Sequence, residues 1–407
     1  MSNVYSLPAR PADKDPQARG EPQMSGLNTV EEILEDLRAG RMVIIMDDED
    51  RENEGDLIMA AEHVTPEAVA FMIRHTSGII CVPMDADWLA RLDLPQMVPN
   101  NDDAFRTAFT VSVDYRHGTT TGVSSKDRAA TIRALADPNS TASDFARPGH
   151  IFPLRPRKGG VLVRAGHTEA AVDLCVLAGL KPVGVLCELM NDDGTMVRRP
   201  GLEAFARQHG LKIGTIADLI RYRLRTERSV VRIAERPVQT EFGEFRLYVY
   251  EDLVYQDVHL ALVRGVLDRS DVPLVRVHVA DTLRDLLGIR TDSKAWTLRA
   301  ALKRIAQAGN GIAVILHEQL SPRELAESLR SSSLSPAAAG STAAQNGERQ
   351  RPKEDGGRER VLRTYGIGAQ ILKDLGVTRM RVLSAPMQMH GISAFGLEIE
   401  GYVGEEA

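Results

Sequence analysis

Residues 42–56 read MVIIMDDEDRENEGD, an apolar run followed at once by a crowd of carboxylates. The run MVIIM is typical of a buried strand. Carboxylates on one short loop repel one another, and a divalent cation relieves the repulsion because hard cations prefer oxygen ligands. Arg51 and Asn53 interrupt the acids, which argues against a simple solvating acidic segment. The stretch therefore predicts a metal-assisted active site behind a buried strand, with an acidic surface turn as the alternative.

Length and composition indicate an ordinary globular enzyme. The 407 residues are enough for two or three domains, and 43% hydrophobic and 26% charged residues are typical of a soluble protein. The net charge of -6 and the sequence pI near 6.0 argue against a nucleic-acid partner. No apolar run reaches the roughly 18 residues of a membrane span, and no apolar segment near the start marks the chain for secretion. We expect a cytoplasmic protein that binds neither membrane nor nucleic acid.

The three cysteines, Cys81, Cys175 and Cys187, form no Cys-x-x-Cys pair. Their number and spacing predict neither a disulfide framework nor a structural zinc site, so reduced thiols are expected. Cys81 is either a thiol that takes part in acid–base chemistry or buried packing.

Composition divides the chain into segments. Residues 1–26, rich in Pro, Ala, Arg and Asp, predict a disordered leader. Strands alternate with amphipathic helices over residues 27–225, which predicts an α/β or α+β domain with a mixed sheet. Residues 228–402 repeat such patterns and predict a second α/β domain. Within it, about residues 331–360 consist mainly of Ser, Ala, Gly, Gln, Glu and Arg, and this composition predicts a flexible insertion.

Three local patterns make predictions about structure. Thr29 is a plausible N-cap for a helix over residues 29–39. The stretch GGVLVR, residues 159–164, predicts a strand. The stretch GTTTGVSSKDR, residues 118–128, predicts a hydroxyl-rich loop that enters a helix. Free backbone N–H groups at such a junction either hold a phosphate group or simply start a capped helix.

Polar residues later in the chain can complete an active site. His167 follows a Gly at a predicted helix start, where a neutral imidazole is able to ligate a divalent ion together with Glu52. Arg164 and Thr168 suit the anion and the diol of a phosphorylated sugar. Glu188, at the end of a buried strand, is placed for general acid–base work. Each histidine, His150 included, has a purely structural role as its alternative.

The motifs DDEDRENEGD, GTTTGVS, PGHIFPL, RAGHTEA and CELMNDDG occur in this order, and over about residues 27–225 they resemble 3,4-dihydroxy-2-butanone 4-phosphate synthase of riboflavin biosynthesis. The resemblance implies a homodimeric lyase that converts D-ribulose 5-phosphate to L-3,4-dihydroxy-2-butanone 4-phosphate and formate. It implies Mg²⁺ or Mn²⁺ as cofactor, two ions per active site, with Glu52 and His167 as metal ligands. His150 and Glu188 would be essential to turnover. The implied substrate-binding residues are Arg51, Glu52, Asp56, Arg164, Ala165, Gly166, His167, Thr168 and Glu188.

The second half resembles GTP cyclohydrolase II in VRVH, residues 275–278, and YGIGAQIL, residues 365–372. That family needs three cysteines for a catalytic zinc, whereas residues 279–285 read VADTLRD and no cysteine follows Cys187. We therefore expect no zinc and no opening of the GTP ring. Two alternatives stay open: a bifunctional enzyme that opens GTP without zinc, and a second half that stabilises the dimer or regulates the first half.

Overall fold

The computed structural model describes two compact units, which include residues 27–223 and 224–266 respectively. Residues 357–360 belong with the first unit, and the other described residues beyond 266 belong with the second. The residues that the structure describes are 27–266, 272–280, 285, 296–317, 357–384, 392 and 395–404. The predicted leader and most of the predicted insertion lie outside the described residues.

A mixed seven-stranded sheet forms the centre of the first unit. Its strands are β1 (Val43–Met46), β2 (Gly55–Ala60), β3 (Cys81–Pro83), β4 (Val113–Tyr115), β5 (Phe145–Leu154), β6 (Gly184–Glu188) and β7 (Lys212–Thr215). They lie side by side in the order β4-β5-β3-β6-β2-β1-β7. β1 pairs antiparallel with β2 and parallel with β7, while β3 pairs parallel with β5 and antiparallel with β6. The predicted fold class, a mixed sheet with helices, is confirmed.

The acidic loop connects the two buried strands β1 and β2. Every residue of both strands is buried, as a nearly continuous apolar run predicts for strands covered on both faces. Met46 pairs with Gly55, so the antiparallel ladder reaches both ends of the loop. The carboxylates between them are therefore anchored by the core.

Helices pack around this sheet. They are α1 (Val30–Arg38), α2 (Pro66–His75), α3 (Ala86–Arg91), α4 (Ser125–Leu135), α5 (His167–Leu177), α6 (Arg199–His209) and α7 (Ile216–Thr226). Thr29 caps α1 as predicted: its side chain accepts from the Glu32 N–H, and the Glu32 carboxylate accepts from the Thr29 N–H. Residues 167–175 of α5 are all buried, so this helix lies in the core and its first turn is shielded from water.

The second unit contains another mixed seven-stranded sheet, in the order β14-β13-β11-β12-β10-β9-β8. Its strands are β8 (Val230–Thr240), β9 (Gly243–Asp252), β10 (Val258–Arg264), β11 (Leu274–Val279), β12 (Gly311–Leu316), β13 (Arg379–Leu383) and β14 (Glu398–Val403). Its helices are α8 (Leu298–Ala308) and α9 (Gly357–Asp374), the latter beginning inside the predicted insertion. Neither these helices nor the other described ones combine the length and apolarity that a membrane span requires.

The predicted strand over residues 159–164 is wrong. Residues 160–162 form a short 3-10 helix instead. Gly159 and Gly160 both have positive φ, +96° and +64°, which an extended strand does not accommodate. The turn is held by Asp173, whose carboxylate accepts a hydrogen bond from the Val161 N–H at 2.8 Å. A Cβ on Gly160 would lie 2.1 Å from that carboxylate, so the turn requires glycine.

Candidate active site

Asp47, the first acid after β1, folds the acidic loop. One oxygen of its fully buried carboxylate accepts from the Glu54 N–H at 2.8 Å. The other accepts from the Glu52 N–H at 3.0 Å and from Arg51 Nη1 at 2.9 Å. Both oxygens are thus occupied by the loop itself. Asp47 positions the Glu52 side chain and has little capacity left to bind anything else.

His167, the first residue of α5, completes a polar cluster with this loop. Its Nε2 lies 3.1 Å from the Ile45 carbonyl, which can only accept, so Nε2 carries the proton of that hydrogen bond. The other nitrogen, Nδ1, faces Glu52 Oε2 at 3.8 Å and Asp56 Oδ1 at 3.7 Å. Both distances exceed hydrogen-bonding range. The three groups therefore line a gap into which an imidazole nitrogen and two carboxylates converge.

The electrostatics of this cluster demand positive charge. Burial opposes ionisation of Glu52, but the nearby His167 and the charge of Arg51 prevail and lower the pKa of Glu52 to about 2. Burial raises the pKa of Asp56 to about 8 against the attraction of His167. Burial also disfavours the imidazolium, yet Asp56 and Glu52 raise the pKa of His167 to about 9. Glu52, Asp56 and His167 therefore make this place favourable for a positive charge.

A divalent cation fits the same place. Asp56 Oδ1 is buried and has no hydrogen-bond partner among the described residues, which is costly unless a cation faces it. Ligand atoms of Asp47, Glu52 and His167 lie within 4.8 Å of one another. Because the loop already occupies Asp47, Glu52 and His167 are the members of this group that are better placed to hold an ion, with Asp56 beside them. The bond from His167 to the Ile45 carbonyl orients the ring, as second-shell partners of metal-binding histidines do.

Glu188 and His150 lie towards the same end of their strands as Asp56. Glu188 pairs directly with Asp56 across β6 and β2. His150 lies on β5 two residues before Phe152, which pairs with Cys81 of β3, the strand next to β6. Two strand spacings, about 10 Å, therefore separate β5, which carries His150, from β6, which carries Glu188. Among the described residues no hydrogen bond or ion pair joins His150 to the cluster. A molecule that contacts both His150 and the cluster must therefore lie across these strand ends.

Ser77 and the cysteines shape the surroundings of Glu188. The Ser77 hydroxyl donates to Glu188 Oε2 at 2.6 Å, whereas Oε1 has no partner within the described part of the chain. Cys187 accepts from the Thr76 hydroxyl at 3.0 Å. Burial raises the pKa of Cys81 well above its usual range, so its thiol stays protonated.

Arg164 and Arg51 both contact Phe105. Arg164 Nη1 donates to Glu169 at 2.6 Å, and its Nε and Nη2 donate to the Phe105 carbonyl at 3.2 and 3.1 Å. The Arg51 guanidinium lies 5.2 Å from the Phe105 ring. An anionic substrate that accepts more than one hydrogen bond from Arg164 competes with the bonds to Phe105, while Glu169 keeps the guanidinium in place.

The rest of the RAGHT segment is tightly packed. Ala165 and Thr168 are both buried, Thr168 in the first turn of α5. A Cβ on Gly166 would lie 2.2 Å from Arg164 Nη1 and 2.9 Å from Glu169 Oε2. The absence of a side chain at Gly166 thus permits the ion pair between Arg164 and Glu169.

The hydroxyl-rich loop is a capped helix start and not a free phosphate cradle. Asp127 Oδ2 accepts from the N–H groups of Thr120 and Gly122, both at 3.1 Å, and from the Thr120 hydroxyl at 2.8 Å. Ser124 caps α4 through the Asp127 N–H. The hydrogen bonds from Thr120 lower the pKa of Asp127, so an ionised carboxylate already accepts from these N–H groups.

Four residues that hold this site together were not singled out from the sequence. They are Asp47, Ser77, Asp114 and Glu169. Asp47 stands inside the motif DDEDRENEGD and Glu169 inside RAGHTEA. In each motif an arginine four or five residues away offers a partner for the carboxylate. Ser77 and Asp114 act on Glu188 and His150 from distant parts of the chain, and nothing local marks them.

The fold and the cluster define an α/β enzyme with a candidate divalent-cation site. A family model for 3,4-dihydroxy-2-butanone 4-phosphate synthase matches residues 31–222, and one for GTP cyclohydrolase II matches residues 231–404. The 3,4-dihydroxy-2-butanone 4-phosphate synthase of Pseudomonas aeruginosa is 51% identical over 93% of this chain and its own entire length. The chain belongs to the 3,4-dihydroxy-2-butanone 4-phosphate synthase family of riboflavin biosynthesis and, as the motifs predicted, carries a GTP cyclohydrolase II-like second half.

Two further relatives share both halves. The crystal structure of a two-domain 3,4-dihydroxy-2-butanone 4-phosphate synthase from A. baumannii matches with a TM-score of 0.76 and 41% identity, covering 93% of this chain and all of that one. A probable bifunctional riboflavin biosynthesis protein of rice is 49% identical over 93% of this chain and 70% of its own length. The two-part architecture thus occurs both in a protein named for the synthase alone and in one named as bifunctional.

Proposed function

We propose that this chain is a lyase that converts D-ribulose 5-phosphate into L-3,4-dihydroxy-2-butanone 4-phosphate and formate. The observation that carries the proposal is the convergence of His167 Nδ1, Glu52 and Asp56 at one end of a buried strand pair. Together the two products contain all atoms of the substrate, so no other reactant is required. The site needs only to hold the sugar, stabilise charge and move protons.

The cofactor we propose is Mg²⁺ or Mn²⁺, two ions per active site, held by Glu52 and His167. Hard cations such as these prefer carboxylate oxygens, here with one imidazole, whereas thiolate ligands favour zinc. When bound, the cation stabilises the negative charge that develops on the sugar oxygens as a proton leaves the neighbouring carbon. The unpartnered oxygen of Asp56 supports the presence of a cation there.

Proton transfer we assign to Glu188 and His150. The hydroxyl of Ser77 holds one oxygen of Glu188 and leaves the other available to accept a proton from the sugar. His150 lies at the same end of the strands as Glu188, and a phosphorylated pentose is long enough to contact both. The substrate-binding residues that we propose are Arg51, Glu52, Asp56, Arg164, Ala165, Gly166, His167, Thr168 and Glu188.

The second half, in this proposal, does not open the GTP ring. A catalytic zinc site of three cysteines requires thiols that the chain lacks beyond Cys187. The similarity of residues 231–404 to GTP cyclohydrolase II favours the competing proposal of a bifunctional enzyme. We take the second half as a non-catalytic module that stabilises the assembly or regulates the first.

We further propose a cytoplasmic homodimer. The first unit exposes several large apolar side chains, among them Ile79 and Val123 at 50% and 45%. Ile79 lies next to Glu188 on the sheet edge, since its carbonyl accepts from the Cys187 thiol. A second copy covering Ile79 would shield this end of the site from water.

Formate release tests both halves of the proposal. The purified full chain is incubated with Mg²⁺ and D-ribulose 5-phosphate, and a separate sample receives GTP with added zinc, because GTP ring opening also releases formate. We expect formate from the sugar phosphate alone. Formate from GTP would show that the second half is catalytic without cysteine ligands. No formate from the sugar would refute the proposed lyase.

Gly166→Ala provides a test of the RAGHT segment. The added methyl displaces Arg164 from Glu169, so we expect kcat/KM for D-ribulose 5-phosphate to fall by about 10-fold or more through a misplaced substrate. Steady-state kinetics measure the effect. Gly401→Ala is the matched control, because a Cβ there meets nothing within 4 Å. Equal kinetics for both variants would show that the position of Arg164 is immaterial to turnover.

A further inference from the structure

Asp114 makes two hydrogen bonds to His150. The His150 backbone N–H donates to Asp114 Oδ1 at 2.9 Å, and ring Nδ1 lies 2.7 Å from Oδ2. Because a carboxylate only accepts, Nδ1 carries the proton of the second bond. Asp114 is largely buried, with 14% of its side chain exposed, whereas 45% of the His150 side chain is exposed.

The backbone around this pair is shaped to bring it together. Residues 147–150 bulge out of β5, since Ala146 pairs with Asp114 and Ile151 pairs with Val113. Bulges of this kind redirect a side chain next to a functional site. The Ser112 hydroxyl also accepts from the Gly149 N–H at 3.1 Å.

Two glycines permit the close approach. A Cβ on Gly149 would lie 2.0 Å from the backbone of Val113, and a Cβ on Gly122 would lie 2.1 Å from the Asp114 carboxylate. The hydroxyl-rich loop that contains Gly122 is itself fastened by Asp127. The Asp114 carboxylate is thereby packed from one side and hydrogen-bonded to His150 on the other.

We infer that Asp114 is a positioning residue that holds His150 in one tautomer. With the proton fixed on Nδ1, the lone pair of Nε2 points away from Asp114 and is free to accept a proton. Within the described residues Nε2 makes no hydrogen bond. The inference rests on the proposed function: it explains how a partly exposed histidine on β5, two strands away from Glu188 on β6, becomes a defined base at the far end of the site.

Asp114→Asn is the test, because asparagine keeps the shape but presents an amide that can donate to Nδ1. We expect kcat for formate release to fall by about 10²-fold or more, with KM changed by less than about 3-fold, since substrate contacts stay intact. In the histidine-labelled full chain, nitrogen-15 NMR is expected to show the Nδ1-protonated form of His150 in the wild type and loss of that form in the variant. The His150 resonances are assigned by their absence in His150→Asn.

Asp144→Asn is the matched control, because Asp144 forms a similar pair with the exposed His117 at 2.9 Å. It is expected to leave kcat and the His150 signals unchanged. A fall in kcat without a tautomer change, or an equal fall in Asp144→Asn, would overturn the inference, as would wild-type kcat in Asp114→Asn. An inactive wild type would refute the lyase proposal, while the NMR signals alone would still decide whether Asp114 sets the tautomer.

Discussion

Glu52→Gln is expected to reduce formate release from D-ribulose 5-phosphate by about 10³-fold, because it removes the charge that holds the cation while keeping the shape of the side chain. The loop should stay folded: Asp47 still accepts from Arg51 and from the backbone N–H of residue 52. Titration calorimetry with Mg²⁺ is expected to show that binding is lost. Circular dichroism and thermal unfolding should match those of the wild type.

The acidic loop supplies its own control in Glu49→Gln. Glu49 is exposed and lies between Asp47 and Glu52 in the same loop, and the substitution changes the net charge by the same amount. Wild-type turnover and Mg²⁺ binding are expected, because a solvated charge at the surface contributes little. Equal losses in the two variants would mean that the loop acts only through its total charge. Undiminished Mg²⁺ binding in Glu52→Gln would remove Glu52 from the ligand set.

How much of the site can be predicted depends on whether the signal is local. Glu52, Asp56 and His167 stand in short runs whose crowded charge or glycine-flanked histidine is visible in the sequence, and the structure brings all three together. The sequence does not show which acid is placed to hold a cation and which one folds the loop. Asp47 and Glu52 are alike in the sequence, and they differ only because the Asp47 oxygens accept bonds from residues 51–54. Contacts across long separations, such as that from Ser77 to Glu188, leave no local pattern.

The fold shows the same division. The buried strand β1 and the N-cap at Thr29 follow from apolar runs and capping chemistry, and both are confirmed. The error at residues 159–164 arises because an apolar run after two glycines fits a strand or a turn equally well. The side chain that decides the matter, Asp173, lies in the following helix and binds the Val161 N–H. Tertiary contact, and not local preference, selects the turn.

Arg223→Met is expected to lower the free energy of unfolding by about 3–5 kcal/mol, because it leaves the buried carboxylate of Asp173 without its cation. The two side chains form an ion pair at 2.7 Å with only 4% and 2% of their surfaces exposed. Asp173 also fixes the turn at Val161, from which the chain continues to Arg164 and His167. Loss of the pair should therefore reduce activity on warming before it affects the room-temperature rate. Urea unfolding followed by fluorescence measures the change in stability.

Arg221→Met is the control: it also removes an arginine from α7, but that arginine has no buried charge as its partner. Arg221 pairs with Asp218 at the surface, with 44% and 39% of the two side chains exposed, so we expect a change within about 0.5 kcal/mol. Adding Asp173→Asn to Arg223→Met removes the stranded charge and is expected to restore part of the stability. If the double variant were as unstable as Arg223→Met alone, the cost would lie in packing and hydrogen bonds of the arginine stem. A restored double variant would show that the cost comes from the Asp173 carboxylate that has lost its arginine.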